Sequence, residues 1–362
     1  MQRMPSNGFG RGTRALWPAW RTGMAPWAWT ELLGTASLSG VTPTVTTGLL
    51  GNGGGGLIER INAWNSFCAV GNSIYIAGMG GHGDYWGNEA YQLNLSANTP
   101  AWVILSQPTP TASVTFLTPH YADGRPTSCH LYYSLWAYGT QVIRVGGYAG
   151  SDNVFTNPAT DVYDLTINDW VAASTYADMP ASAFGWAQCM DSRDGTIYAA
   201  ASSNLYKRNV TTGAWTQLAV FPDNGSATSY GGTALDTKRN QIVIFRDAYQ
   251  TASGGLRYDI AGNAFTKITF TGASSLTVVA VVGNSAWYDS GLDKFILKSP
   301  TADAVYLIDP VTWGVTVLTT AGGSAIATST NGPYNKFVQA PNFGGYAYQP
   351  NDSSNVWFLA NQ

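Results

Sequence analysis

The sequence predicts an all-β fold: a six-bladed β-propeller of four-stranded antiparallel blades, with an N-terminal strand closing the last blade. Three observations predict it. A unit recurs six times, each ending on an aromatic that opens a short strand: Trp29, Trp102, Trp170, Trp215, Phe265 and Trp313. One strand upstream stands a second aromatic (Tyr91, Tyr163, Tyr206, Tyr258, Tyr306, Trp357), usually followed by Asn94, Asp164, Asn209, Asp259 or Asp309. The sixth unit lacks its own fourth strand, while the strand from Trp29 lies at the opposite end of the chain with no blade of its own. Self-similarity at a fixed period marks repeat architectures, and pairing the two ends removes the open edges of the ring.

The elements follow in order within each unit. A first strand meets a tight turn: Gly71-Asn72, Tyr138-Gly139, Asp194-Gly195, Arg239-Asn240, Gly291-Leu292 or Gly344-Gly345. It returns as a second strand rich in β-branched and aromatic residues, such as Ser73-Ile-Tyr-Ile-Ala, Gln141-Val-Ile-Arg-Val and Gln241-Ile-Val-Ile-Phe. Such runs bounded by Gly, Asn and Asp are hairpin signals. The third strand carries the upstream aromatic, and the fourth opens on the Trp or Phe. No stretch shows a helical period. The expected organisation is an extended N-terminal arm, residues 1–28, and a propeller over residues 29–362.

Two blades carry a more specific pattern. Val142-Ile-Arg-Val-Gly146-Gly147 is followed by Asp161-Val-Tyr163-Asp164-Leu and then Trp170. Ile74-Tyr-Ile-Ala-Gly78-Met-Gly80-Gly81 is followed by Tyr91 and Trp102. In these blades the chain resembles the kelch and galactose-oxidase group of propellers; the other four keep the strands but lack the double glycine. The group spans oxidases, binding modules and structural proteins, so the resemblance implies a fold and no single activity.

Composition narrows the function classes. Charged residues make up 11% of the 362-residue chain, against about 25% in ordinary soluble domains. The net charge of −3 gives no electrostatic footprint for nucleic acid. No apolar run approaches the ~20 residues that span a bilayer, and the first 24 residues hold four Arg but no secretory apolar core. The expected setting is a virion assembled in a host cytoplasm, a bacteriophage particle in which the protein joins a larger oligomeric assembly. Asn94-Leu-Ser, Asn209-Val-Thr and Asn224-Gly-Ser match glycosylation sequons that also arise by chance. The three cysteines cannot all pair within one chain. Cys68 and Cys189 read as buried thiols in first strands, and Cys129 as the opening of the first strand of blade two.

Candidate site residues gather in one sector. Loops joining second to third strands emerge on the same face as the linkers between blades, and blades one and two have the longest. Residues 78–88 hold His82, Asp84, Tyr85 and Trp86; residues 148–160 hold Asp152, Asn153 and Phe155; the linker 106–127 holds His120, Tyr121, Asp123 and Arg125. Exposed Tyr and Trp supply rigid contact area at low entropic cost, and aromatics beside Asp suit sugar rings. The expected ligand-binding set is therefore His82, Asp84, Tyr85, Trp86, His120, Tyr121, Asp123 and Asp152, facing a host-surface receptor or glycan. Equally, the same rings could pin the loops to the disc.

The alternative is a carbohydrate-active enzyme on this face. The resemblance implies one copper-radical version, needing two His, two Tyr and a Tyr-linked Cys. The chain has three His, namely His82, His120 and His130, all from blades one and two, where that family draws ligands from several blades. A glycosidase needs two carboxylates roughly 5 to 10 Å apart, and no spacing among Asp84, Glu89, Asp123, Asp152 and Asp161 singles out a pair. Ser192-Arg-Asp194-Gly195-Thr196 falls short of the sialidase turn motif and reads as a hairpin turn. No catalytic residue, metal or cofactor is assigned.

The arm is the other informative region. It holds Arg11, Arg14, Trp17, Trp20, Arg21 and Trp27, with no acidic residue before Glu31. Disordered tails are poor in aromatics, so these six residues are expected to anchor on another virion protein, Trp at the centre and Arg at the rim.

Overall fold

A computed structural model of the chain describes residues 17–32, 37–44, 56–78, 80, 85–115, 118–149, 155–181, 185, 187–222, 230–245, 254–273, 283–300, 304–329 and 331–361. Six four-stranded antiparallel sheets form a ring. Blade one is Cys68–Val70, Ser73–Ala77, Ala90–Asn94 and Trp102–Ser106; blade two is Leu135–Tyr138, Gln141–Ala149, Phe155–Asp164 and Asp169–Trp170. Blade three runs from Gln188–Met190 to Trp215–Val220, blade four from Thr233–Asp236 to Ala264–Thr269, and blade five from Ser285–Asp289 to Val315–Leu318. Blade six is Phe337–Ala340, Gly345–Tyr348 and Trp357–Ala360, completed by Trp29–Glu31. The closing register pairs Trp29 with Leu359, Thr30 with Phe358 and Glu31 with Trp357. The first strands of the blades contact one another around the axis.

The repeating residues have separable jobs. In blades one to five the Asp or Asn that follows the third-strand aromatic caps the next turn through its own side chain. Asp164 Oδ1 accepts from Thr166 N, Asn209 Oδ1 from Thr211 N, Asp259 Oδ1 from Ala261 N and Asp309 Oδ1 from Val311 N. This is the Asx turn, a side chain standing in for backbone. Three of the fourth-strand tryptophans reach back to the preceding blade. Trp102 Nε1 donates to Gln349 Oε1 of blade six at 3.0 Å, Trp170 Nε1 to Asn88 O beside blade one, and Trp215 Nε1 to Ala177 O and to Thr160 Oγ1 of blade two.

Three local expectations change. Trp313 stands in the preceding turn with φ 59°, and its strand starts at Val315. Cys129 lies in the linker before blade two, whose first strand is Leu135–Tyr138; its chain is held by Gly78 O and Gly80 N of blade one instead. A four-residue α-helix, Glu59–Asn62, is too short to leave a period in the sequence. Cys68, Cys129 and Cys189 are all buried free thiols.

The linkers close one end of the axis in a way the repeat did not announce. Trp64, Tyr132, Gly185, Tyr230, Gly283 and Tyr334 occupy equivalent stations just before the six first strands, and all have φ between 41° and 83°. Backbone bonds join several stations: Tyr132 N to Trp64 O, Gly283 N to Tyr230 O and Tyr334 N to Gly283 O. Tyr132 packs 5.4 Å from Tyr230 and 5.3 Å from Tyr334, ring to ring. The glycine stations leave room for these rings: a Cβ on Gly185 would lie 2.5 Å from Tyr230.

Candidate functional site

The enlarged sector of blades one and two is built on two buried polar networks. Glu89, 2% exposed, precedes the third strand of blade one. Its Oε1 accepts from Tyr85 OH at 2.7 Å and Tyr91 OH at 2.6 Å. Tyr91 OH in turn accepts from Arg60 Nη1 at 2.9 Å. Arg60, on the short helix, also donates to the carbonyls of Leu57, Val41 and Leu38 and to Asp352 Oδ1 at 3.1 Å. A buried guanidinium needs its donors filled, and here filling them ties the entry segment of blade one to the far loop of blade six. Burial pushes the Glu89 carboxyl and the Tyr85 and Tyr91 phenols upward.

The second network centres on Asp161, in the third strand of blade two. Its Oδ1 lies 2.7 Å from His120 Nε2, and its Oδ2 accepts from Arg144 Nη2 at 2.7 Å and Nε at 3.2 Å. Arg144 is fully buried, donates Nη1 to Gly78 O and Thr127 O, and lies over the Trp170 ring at 5.9 Å. Its desolvation is opposed by the charges and hydrogen bonds of its neighbours, which hold the guanidinium protonated. Tyr121 OH donates to Trp86 O at 2.8 Å and accepts from Ser128 N. The linker is thereby stitched to the loop of blade one and the hairpin of blade two.

The nominated residues therefore occupy definite places. Tyr85 and Trp86, expected as exposed rings, are 1% and 3% exposed and pack with Leu57 and Val114. The cause is polar as well as apolar: the Tyr85 hydroxyl reaches Glu89, and the Trp86 carbonyl holds Tyr121. His120 and Tyr121 join the two networks, whereas Asp123 caps a local turn through Arg125 N. His82, Asp84 and Asp152 lie outside the described residues, as do Arg11 and Arg14 of the arm. Sequence reading passes over Arg60, Arg144 and Asp352. Arg144 carries a usable signal, since a charge inside the apolar run Val-Ile-Arg-Val must find a partner.

The described part of the arm rests on the disc itself. Trp20 Nε1 donates to Leu95 O and Ala97 O of blade one, and its ring lies 5.1 Å from Phe358 of blade six. Arg21, fully buried, donates to Phe343 O at 2.7 Å and Gly344 O, and lies over the Trp17 ring at 4.1 Å. Trp27 exchanges backbone bonds with Ala360 and Ala321. Trp20 and Arg21 thus lie over the seam between blades six and one with Trp17 stacked on Arg21, whereas Trp27 lies where blade six meets the chain leaving blade five.

Two of the three histidines of the copper-radical expectation are described, and His82 lies outside the described residues. His120 is bound to Asp161, and His130 is buried under Trp64 at 4.7 Å, ring to ring. Among the described residues no group of three or more His, Cys, Asp or Glu could hold a metal ion, and no helix is long and apolar enough to cross a membrane. What the chain is assigned to is its architecture, a six-bladed β-propeller; no protein-family model matches it, and its sequence matches no curated protein.

Proposed function

We propose that the protein is a non-enzymatic recognition or structural component, carried on a kelch-like propeller and housed in a bacteriophage particle. The observation that carries this reading is the engagement of the sector's chemistry-bearing side chains with one another. Tyr85, Glu89, Tyr91, Arg60 and Asp352 form one network, and His120, Asp161 and Arg144 another. Groups committed in this way hold loops still, and a rigid base under long loops is what recognition needs. The ligand, a host-surface glycan or protein, would meet residues that include His82, Asp84 and Asp152. Arg11 and Arg14 would reach a neighbouring particle protein. The low share of charged residues supports a virion setting.

One arrangement favours the alternative of a carbohydrate-active enzyme on the same face. An imidazole oriented by a carboxylate, as His120 is by Asp161, is the geometry of a general base. A single assay separates the two readings. Host-surface polysaccharide is immobilised, and retained protein, released reducing sugar and peroxide are measured together. Retention without product is expected. Product accumulating in proportion to protein would overturn the proposal in favour of the enzyme.

A further inference from the structure

The first strand of each blade is paired on one side only, to its own second strand. Its other edge faces the axis, so six strand edges present backbone N–H and C=O groups to a shared channel. The linker stations around Tyr132, Tyr230 and Tyr334 lie over one end of that channel. Below them is a cavity of about 130 Å³, walled by Trp136, Trp287, Tyr288, Leu235 and Met190. Its lining extends to the turn residues Ser192 and Pro341, which are exposed. The cavity therefore opens on the face of the first-to-second-strand turns, opposite the loops of blades one and two. Trp287 is only half-buried there. Its Nε1 donates to Phe337 O at 2.7 Å and its ring meets Trp136 edge-on at 6.2 Å, which fixes its orientation.

We infer that this axial cavity is a binding pocket for one neutral pyranose sugar ring. Among the described residues lining it none is charged, so an ionic ligand would lose its hydration without a counter-charge. A hydrocarbon would strip water from the strand edges and from the Gln339, Thr237 and Ser290 side chains and return no hydrogen bond. A pyranose satisfies both kinds of wall: its C–H face lies on fixed indole, and its hydroxyls meet edge amides, carbonyls and the rim. The volume is close to the ~150 Å³ cavity that holds a benzene ring, so one six-membered ring enters and its anomeric substituent points out of the mouth. The pocket is separate from the blade one and two sector and does not depend on the reading of that sector.

The test is saturation-transfer NMR and calorimetry on the full chain with methyl glycosides of glucose, galactose, mannose and N-acetylglucosamine, with phenol and glucuronate as controls. At least one neutral glycoside should bind saturably at millimolar concentration. Ala69→Phe fills the cavity from the first strand of blade one, and Ser290→Trp blocks the half-exposed rim without touching the inner packing. Each should weaken binding about tenfold or more while the melting temperature holds. Should Ala69→Phe fail to fold, Ser290→Trp carries the result alone. Absence of saturable binding by every glycoside, binding of phenol or glucuronate in their place, or undiminished binding by the folded variants would each overturn the inference.

Discussion

At the scale of single residues, the repeated tryptophan acts as a bolt between neighbouring blades. Trp102 is buried, and its indole N–H fills the Oε1 of a fully buried Gln349 in the adjacent blade. Trp102→Phe keeps most of the ring but leaves that oxygen without its donor, so it should cost about 1 to 3 kcal/mol. Trp102→Ala should cost roughly 3 to 5 kcal/mol; urea unfolding of both variants checks the order. Lys336 is a second informative residue. It is completely buried, with Nζ 2.7 Å from Ser329 Oγ and 3.4 Å from the carbonyls of Ile61 and Pro350. Burial brings its ammonium down to about 7, against ~10.4 in the unfolded chain. Between those values the unfolded chain binds the extra proton, so stability rises with pH across that window and the burial cost is felt in full below it. The slope from this one group should approach ~1.4 kcal/mol per pH unit. Lys336→Met should flatten the profile between pH 7 and pH 10, as read by denaturation midpoints; an equal slope in both proteins would show that Lys336 is not its source.

Among the elements, what is legible from sequence is whatever repeats. The turn-capping Asp164, Asn209, Asp259 and Asp309 and the aromatic partners recur with the blade period, so local chemistry announces each strand. Burial in the loops is not legible in the same way. Tyr85 and Trp86 sit between glycines in a polar stretch, and only the distant carboxylate of Glu89 and the linker's Tyr121 explain why they turn inward. Changing both to Ala should lower the melting temperature by several degrees while the circular dichroism of the sheets persists, since the base of one loop is lost and no strand is. An unchanged melting temperature would contradict their role as a pin. The arm's packing is hidden for a similar reason, because sequence does not show the disc surface on which Trp20 and Arg21 rest. Deleting residues 1–16 should leave stability unchanged, whereas deleting residues 1–28 should remove Trp20 and Arg21 from the seam and lower the melting temperature sharply. Equal melting temperatures for the two truncations would remove the seam from the account. The ring of linker stations is readable in principle: Trp64, Tyr132, Tyr230 and Tyr334 stand three or four residues before their strands. With glycines at the other two stations, however, the pattern emerges only once the blades are aligned in space.

For the whole molecule, stability rests on closure of the ring. The turn face is laced from blade to blade. Arg193 donates to Asn240 Oδ1, Arg239 forms a two-pronged pair with Asp293, and Asn342 donates to Gly71 O and Asn72 Oδ1. Arg239 draws the Asp293 carboxyl well below the usual carboxylate range, but that pair is partly exposed and screened, so its contribution to stability is small. The apolar seam contributes more: Trp29 packs there against Phe337 and Tyr348, and its strand covers the edge at Phe358 and Leu359. Without that strand the last blade would present an unpaired apolar edge of the kind that templates aggregation. A closed, laced disc is also the rigid base that the proposed recognition loops on one face and the proposed axial pocket on the other require. The most direct measurement is amide hydrogen exchange over residues 356–361, in the intact protein and in a truncation lacking residues 1–34. Closure predicts strong protection in the intact chain, comparable to that of Gly345–Tyr348, and its loss in the truncation together with aggregation. Equal protection of residues 356–361 in both proteins, with a soluble truncation of unchanged melting temperature, would contradict it.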